Sequence, residues 1–356
     1  MQTVVYSDDY KPIHLVFSEM DRFYTLTSEK EYKQAGLIKD SFDKSFSDLL
    51  SLFRKYGHIK YGFKLVDRKY KPLDIPKYNK NNIILAFSGG KDSVAAALYY
   101  KDAGYNVHLY HLRGLNTAYP DEYKQAEKLA HELQLPIHIS TIKVKGKHSW
   151  EVTHPCKCML LYNQMIQYGI KNNIGYSLAV GHFLDEYLDE AAFERETSDT
   201  IDFDEAYYQI IRTIIPDFEI KRCLNASADT FDVLLEHPKL LELSQSCMCQ
   251  QRFREYNKKK IEEKYSIQLM PNRCGGCSKC SREYIYYADK GLLEFNEIYY
   301  LKCLQNLVDF QKKMWSTEKP VETIKELFKK YIGYSHKQSK IYEKLLKLSI
   351  KDGKIK

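Results

Sequence analysis

Between Asn82 and Val180, short apolar-rich runs alternate with stretches whose apolar residues recur every three or four positions. The first pattern is that of a buried strand and the second that of a helix. Ile83-Ile-Leu-Ala-Phe87, Val107 to His111, Ile137 to Ile142 and Ser177 to Val180 are the four strands this predicts. The first of these, apolar at every position, suits a parallel sheet covered on both faces. Between them, Ser93 to Gly104 reads as an Ala-rich helix stopped by glycine. Asp121 to Gln134 is a second helix, with Tyr123, Ala126, Leu129, Ala130 and Leu133 on one stripe, and Cys158 to Asn172 is a third. The alternation predicts an α/β fold built on a doubly wound parallel sheet, with ligands at the carboxyl ends of its strands.

The flanks follow other patterns. Thr3 to Tyr6, His14 to Phe17, Phe23 to Leu26 and Ile59 to Val66 read as short strands, and Phe42 to Tyr56 as an amphipathic helix. A polar stretch with two prolines, Lys71 to Asn82, then serves as a linker. Residues 1–80 are therefore expected to form an N-terminal α+β unit, 81–290 the central domain and 291–356 a helical C-terminal region. In the last, Phe295 to Met314, Val321 to Tyr331 and Lys337 to Leu348 are the helices. Residues 191–246 give little pattern.

Charge adds an asymmetry. The net charge is +7 over 356 residues, yet after residue 310 stand 13 lysines against 5 acids, so the rest sums to about −1. A lysine-rich terminus can meet nucleic acid, but a solvated helical face is the reading favoured by the spacing. No apolar run approaches membrane-spanning length and the start lacks a basic, apolar leader, so the expected compartment is the cytoplasm, with no membrane partner. In that compartment the clustering of Cys247, Cys249, Cys274, Cys277 and Cys280 points to metal rather than disulfides.

The first strand runs into Ser88-Gly89-Gly90-Lys91-Asp92-Ser93 and then the Ala-rich helix. Glycines let the backbone approach a ligand, and a helix start offers N–H groups and positive dipole to an anion. Neither Gly-x-x-x-x-Gly-Lys-Ser/Thr nor Gly-x-Gly-x-x-Gly fits. The loop resembles the Ser-Gly-Gly-x-Asp-Ser loop of the ATP pyrophosphatase (PP-loop) superfamily, whose members hold the β- and γ-phosphates of ATP, adenylate a substrate and release pyrophosphate. The resemblance implies the adenine nucleotide alpha hydrolase-like fold, with ATP bound by Ser88 to Ser93, Lys91 and Asp92 in the chemistry, and His111 after the second strand near the nucleotide. Beyond the fourth strand, Gly181-His182-Phe-Leu-Asp185 is similar to the Gly-His-x-x-Asp segment of the superfamily's tRNA-modifying members. His182 and Asp185 would then face the nucleotide beside Gly181. A carboxylate beside phosphates needs a divalent cation between them, so Mg²⁺ is expected at Asp92 and Asp185. Arg212 and Pro216 match a further strand and turn of the superfamily only faintly.

Cys274-Gly-Gly-Cys277-Ser-Lys-Cys280 sets three thiols at intervals of three. Thiolates so spaced close on one tetrahedral Zn²⁺, with a fourth ligand from Cys247 or Cys249 brought back by a helix from Gln250 to Lys264. An iron–sulfur cluster is the competing reading, but its run wants a fourth Cys followed by Pro where Tyr284-Ile285 stand. A zinc knuckle would act in folding rather than chemistry. Ser246-Cys247 with Cys274-Gly-x-Cys277-x-x-Cys280-x-Arg282 is similar to the zinc signature of the 7-cyano-7-deazaguanine synthase family, over about residues 82–290. That resemblance gives Cys247, Cys274, Cys277 and Cys280 as ligands and leaves Cys249 spare. The chain departs from the family at His111-Leu-Arg-Gly, after the fourth strand, at both added ends, and at Cys156 and Cys158.

The resemblance implies ATP-dependent adenylation of a 7-carboxy-7-deazaguanine-type acid and acyl transfer to nitrogen. Ammonia would give an amide and then a nitrile; a protein amine is the alternative acceptor, as in relatives found in anti-phage defence clusters. Two further readings stand beside it. One is a tRNA-thiolating enzyme, suggested by Cys156, Cys158 and the basic terminus; the other is an ATP-binding subunit of a larger complex. A homodimer fits either enzyme reading.

Overall fold

The computed structural model describes residues 4–7, 77–114, 122–145, 154–181, 215–224, 227–245, 247, 249, 251–314, 322–332, 341–345, 347–351 and 353–356. Most of the expected N-terminal unit, and with it the elements predicted between residues 14 and 66, lies outside the described residues. The chain divides into two compact units. The first draws on 1–88, 99–180 and 192–222, and the second on 89–98, 181–191 and 223–356.

The first unit is the expected α/β sheet. Its strands are β1 (Val4–Ser7), β2 (Asn82–Ala86), β3 (Asn106–Arg113), β4 (Ile137–Lys145), β5 (Leu178–Ala179) and β6 (Ile220–Lys221). They lie in the order β1-β4-β3-β2-β5-β6. Strands β2 to β6 are parallel, and β1 adds antiparallel to the β4 edge. Ile83, Ile84 and Leu85 have no exposed surface, as a central parallel strand requires. The predicted stripe of helix α2 (Glu122–Leu133, after α1, Lys91–Asp102) buries Ala126, Leu129, Ala130 and Leu133. Its Tyr123 stays at the edge, with the Arg113 guanidinium 4.1 Å from its ring centre. Helix α3 (His154–Lys171) precedes β5.

Chain order and spatial order together locate the expected ligand end. From β2 the chain steps outward through β3 and β4, then returns to the other side of β2 with β5 and β6. The strand order therefore reverses at β2, and in open α/β sheets ligands gather at the carboxyl end of that reversal. The loop Ser88–Ser93 leaves β2 there. Two details differ from expectation. Helix α1 begins at Lys91 rather than Ser93, and β6 follows Pro216 as a strand of only two residues.

The second unit contains, among the described residues, α4 (Ser227–Leu235), α5 (Pro238–Leu243), α6 (Gln251–Tyr265), α7 (Ser278–Lys290), α8 (Glu297–Met314), α9 (Ile324–Tyr331) and α10 (Tyr342–Leu345). A hairpin of β7 (Ile350–Lys351) and β8 (Lys354–Ile355) ends it, where only helix was expected. Gln305 of α8 anchors that hairpin, accepting from the Ile355 N–H at 3.0 Å and donating to the Gly353 carbonyl at 3.1 Å. Helix α7, which the sequence pattern did not reveal, is the centre of the unit. Ten of its residues are buried, and three of the polar ones are held by residues outside the helix. Glu283 pairs with Arg273, Asp289 accepts from the Tyr300 hydroxyl at 3.0 Å, and Ser281 Oγ accepts from Asn306 at 3.0 Å.

Candidate functional site

The loop after β2 makes its turn at Gly89, whose φ of 73° lies in the left-handed region that a side chain disfavours. Its carbonyl accepts the Gln245 N–H at 3.0 Å. The Gly90 carbonyl caps the turn, accepting from the Val94 N–H and from Ser93 Oγ, each at 3.0 Å. Lys91 is almost fully buried and pairs through Nζ with Asp92 Oδ1, while the Phe231 ring centre of α4 lies 5.0 Å from Nζ. Thr230, also on α4, donates to the same Asp92 oxygen at 3.3 Å. Burial lowers the proton affinity of the Lys91 ammonium against the pull of Asp92, and the charges of Arg282 and Lys279 lower it further. Burial alone would raise the Asp92 carboxyl, but Lys91, Lys279 and Arg282 hold it below the usual carboxylate range. The loop thus presents a carboxylate whose proton affinity Lys91, Lys279 and Arg282 lower.

Gly181 sits against this turn. A Cβ there would come 2.9 Å from the Asp92 carbonyl and 3.0 Å from the Ser93 nitrogen. Only a glycine lets the segment after β5 lie on the first turn of α1. In the sheet unit, His111 is buried and its Nδ1 lies 2.9 Å from the Phe87 carbonyl, the residue just before the loop. A carbonyl only accepts, so Nδ1 carries the proton. Burial lowers the His111 pKa below its ordinary value despite that bond and the nearby charge of Glu127.

Of the predicted nucleotide residues, the second unit brings together Gly89, Gly90, Lys91, Asp92, Ser93 and Gly181; Ser88 and His111 belong to the sheet unit. His182, Asp185 and Arg212 lie outside the described residues. Cys156 and Cys158 stand near the start of α3, and their side chains are likewise outside the description. Thr230 and Phe231 went unread because the stretch from 191 to 246 shows no clear periodicity. Arg282 appeared in the sequence only as part of the cysteine signature, and Lys279 left no signal because the helix that carries both was not predicted.

Asp92 bears on the expected Mg²⁺. Its Oδ1 is held by Lys91 and Thr230, while among the described residues Oδ2 accepts no hydrogen bond, and the side chain is 33% exposed. One oxygen therefore remains for a hard cation, which fits a single carboxylate ligand completed by phosphate and water.

The four cysteines meet at the start of α7. The sulfurs of Cys247, Cys274, Cys277 and Cys280 all lie within 4.8 Å of one another. Neighbouring pairs stand at 3.4 to 4.0 Å. Zn–S bonds of about 2.3 Å in a tetrahedron set sulfurs about 3.8 Å apart, so the group can hold one such ion. Backbone N–H groups of Cys249 and Gly276 point at Cys247 and Cys274 sulfurs at 3.3 and 3.4 Å, as suits thiolates. Hydrogen bonding among the thiols, first from Cys274, lowers Cys247 to about 7, and that from Cys247 lowers Cys277. The same contacts raise Cys274 and Cys280. To stand together as four thiolates, the group would need a cation among them. Cys249 stands outside the four, its sulfur accepting from Asn257 at 3.2 Å. Arg273, one residue before the cluster, reaches the Ser244 carbonyl at 2.7 Å, and so ties the metal centre to the segment whose Gln245 backs Gly89.

No protein-family model matches the chain. It is 28% identical over 131 residues, 37% of its length, to 7-cyano-7-deazaguanine synthase 2 of Sulfurisphaera tokodaii. It is 33% identical over 117 residues, 31% of its length, to a tRNA-5-methyluridine(54) 2-sulfurtransferase of Pyrococcus horikoshii. These matches span only 26% and 37% of the two relatives' own lengths. No described helix is long and apolar enough to cross a membrane. The parallel sheet and these two matches make the chain a divergent relative of the PP-loop proteins.

Proposed function

We propose that the chain is an ATP pyrophosphatase-type enzyme that adenylates a 7-carboxy-7-deazaguanine-type carboxylate and passes the acyl group to a nitrogen nucleophile. The observation that carries this reading is the Ser88–Ser93 turn at the reversal point of the sheet, with Lys91 and Asp92 at its helix start. The match to a deazaguanine synthase and the four-cysteine centre in the same chain favour this substrate class.

A carboxylate resists amines because its leaving group would be oxide. In the proposed first step a carboxylate oxygen attacks the α-phosphorus of ATP, the bond to the bridging oxygen breaks, and pyrophosphate leaves with the electron pair. The loop's N–H groups and Lys91 hold the departing pyrophosphate. A divalent cation, when bound at Asp92, neutralises phosphate charge. An amine nitrogen then attacks the acyl carbon; AMP leaves and the amine gives up its proton. The nitrogen must stand about 3–3.5 Å from that carbon with water kept out. Free ammonia, leading to amide and nitrile, ranks slightly ahead of a protein amine. For the latter, a link to antiviral defence rests on the resemblance alone.

A second reading has its own support. The match to a tRNA sulfurtransferase favours adenylation of a nucleic-acid base and sulfur transfer, with Cys156 and Cys158 as candidate sulfur carriers. One experiment separates the two: incubation with ATP and either the deazaguanine acid or tRNA, read by product analysis. Equal amounts of AMP and pyrophosphate that depend on the acid are expected. Sulfur entering tRNA, or ADP and phosphate as products, would overturn the primary reading.

A further inference from the structure

Helix α7 starts inside the four-cysteine centre and carries Lys279, Arg282, Tyr286 and Lys290 at spacings of three, four and four. Those spacings put the four side chains on one stripe. Two contacts show which way the stripe faces. The Tyr286 hydroxyl donates to Asp232 of α4, and Lys290 Nζ lies 3.7 Å from the same carboxylate. The Tyr286 ring also packs on Phe231 at 4.8 Å between centres. Phe231 in turn lies under Lys91, and Thr230 beside it holds Asp92. The stripe of α7 therefore faces the α4 surface that supports the loop. Along the helix axis Arg282 stands about 6 Å and Lys279 about 10 Å from Tyr286, toward the metal centre. Their charges are felt at both Lys91 and Asp92.

Within the second unit, three cations, Lys91, Lys279 and Arg282, thus accompany one carboxylate at the loop. An excess of positive charge beside a glycine turn and helix start suits a ligand bearing several negative charges. We propose that Lys279 and Arg282 form a pyrophosphate-binding arm of the nucleotide loop, held in place by the metal that fixes the start of α7. The inference rests on the loop's reading as a polyphosphate site and adds to it residues nearly 190 positions away and a dependence on metal. The four-thiol centre is then more than a folding clamp: the ligand Cys280 lies between the two cations it positions.

The test is titration calorimetry of inorganic pyrophosphate into the zinc-loaded full chain, in magnesium buffer. Lys279→Gln and Arg282→Gln are each expected to weaken binding about tenfold, the scale of one lost charge-assisted hydrogen bond. Arg282→Lys should keep most of the affinity, and Lys290→Gln, at the far end of the same stripe, should leave it unchanged. Zinc content, measured on every variant, distinguishes loss of the arm from loss of the centre. Stripping the metal with chelator should weaken pyrophosphate at least as much as the double variant. Should wild type bind pyrophosphate and the zinc-loaded double variant bind it equally well, the arm is refuted and the loop reading survives. Full affinity in the metal-free chain refutes the coupling. If wild type binds neither pyrophosphate nor ATP, the loop reading fails and the arm with it.

Discussion

At the scale of single residues, the glycines separate roles that spacing alone leaves merged. Cys274-Gly-Gly-Cys277 has two adjacent glycines, and their surroundings differ. Gly275 has φ of 71°, and a Cβ on it would stand 2.5 Å from Leu269 and 2.9 Å from Ile261. Its carbonyl also accepts the Tyr299 hydroxyl at 2.6 Å. A Cβ on Gly276 would meet nothing within 4 Å. Gly275→Ala is therefore expected to destabilise the fold by about 2–4 kcal/mol, combining left-handed strain with overpacking. Gly276→Ala should stay within about 1 kcal/mol, and urea unfolding of the zinc-loaded chain reads both. Equal effects at the two positions would contradict the geometry.

His111 gives a second residue-scale expectation, with a sign. Its folded pKa lies below the ordinary value of 6.5, because burial favours the neutral ring. The unfolded chain therefore takes up a proton first as pH falls below about 6.5. Stability from this group is full above that pH and declines until the folded pKa is reached. His111→Phe removes the donor to the Phe87 carbonyl and should cost about 1–3 kcal/mol at pH 7.5. The gap between wild type and variant should narrow at pH 5.5, since only wild type loses stability by this route. A gap that widens on acidification would show that the ring is charged in the fold.

Elements explain what the pattern along the chain exposed and what it hid. Strand β2 was legible because Ile83-Ile-Leu-Ala-Phe87 is an unbroken apolar run, and β3 and β4 were legible from apolar-rich runs interrupted by His, Ser and Thr. Helix α7 was not legible. Polar residues are buried among the apolar ones, and Tyr284-Ile-Tyr-Tyr287 looks as much like a strand as a helix. Several of its polar residues are inside, and Glu283, buried against Arg273, carries no sign of a solvated face. The cysteine cluster was legible because four ligands on one ion constrain spacing directly. Spacing alone left Cys247 and Cys249 equivalent, and the choice of Cys247 came from the family resemblance, because the two differ only in which sulfur the backbone turns inward.

The pair Arg273–Glu283 tests what holds α7. Both side chains are buried, and Arg273 also serves the Ser244 carbonyl. Removing one partner leaves a buried charge, so Glu283→Ala should cost about 3–5 kcal/mol. The double variant Arg273→Met with Glu283→Leu should recover much of that loss. It should still weaken pyrophosphate binding, because the tie from the metal centre to Gln245 and Gly89 is gone. Urea midpoints and calorimetry on the same two proteins separate stability from ligand contact. Recovery of both together would mean that Arg273 acts only in folding.

At the scale of the whole molecule, the uneven charge bears on the choice between small-molecule and nucleic-acid chemistry. The net charge of +7 comes from the segment after residue 310, where lysines outnumber acids. Among the described residues there, lysines alternate with apolar positions along α9 and the terminal hairpin. Leu327, Phe328 and Ile332 face inward, and Lys344 pairs with Glu297 at 2.9 Å. The described lysine side chains there are exposed, as on solvated faces. Nucleic-acid affinity by counterion release scales with the number of phosphates neutralised at once, so dispersed charge predicts weak binding. The expected result for unmodified tRNA is binding weaker than about 1 μM at physiological salt, near the non-specific range. In a log–log plot against salt, the slope should correspond to about three phosphates or fewer. Filter binding across a salt series measures both quantities. Tight binding with a slope corresponding to six or more phosphates would show an assembled basic surface and move the sulfur-transfer reading ahead of the deazaguanine one.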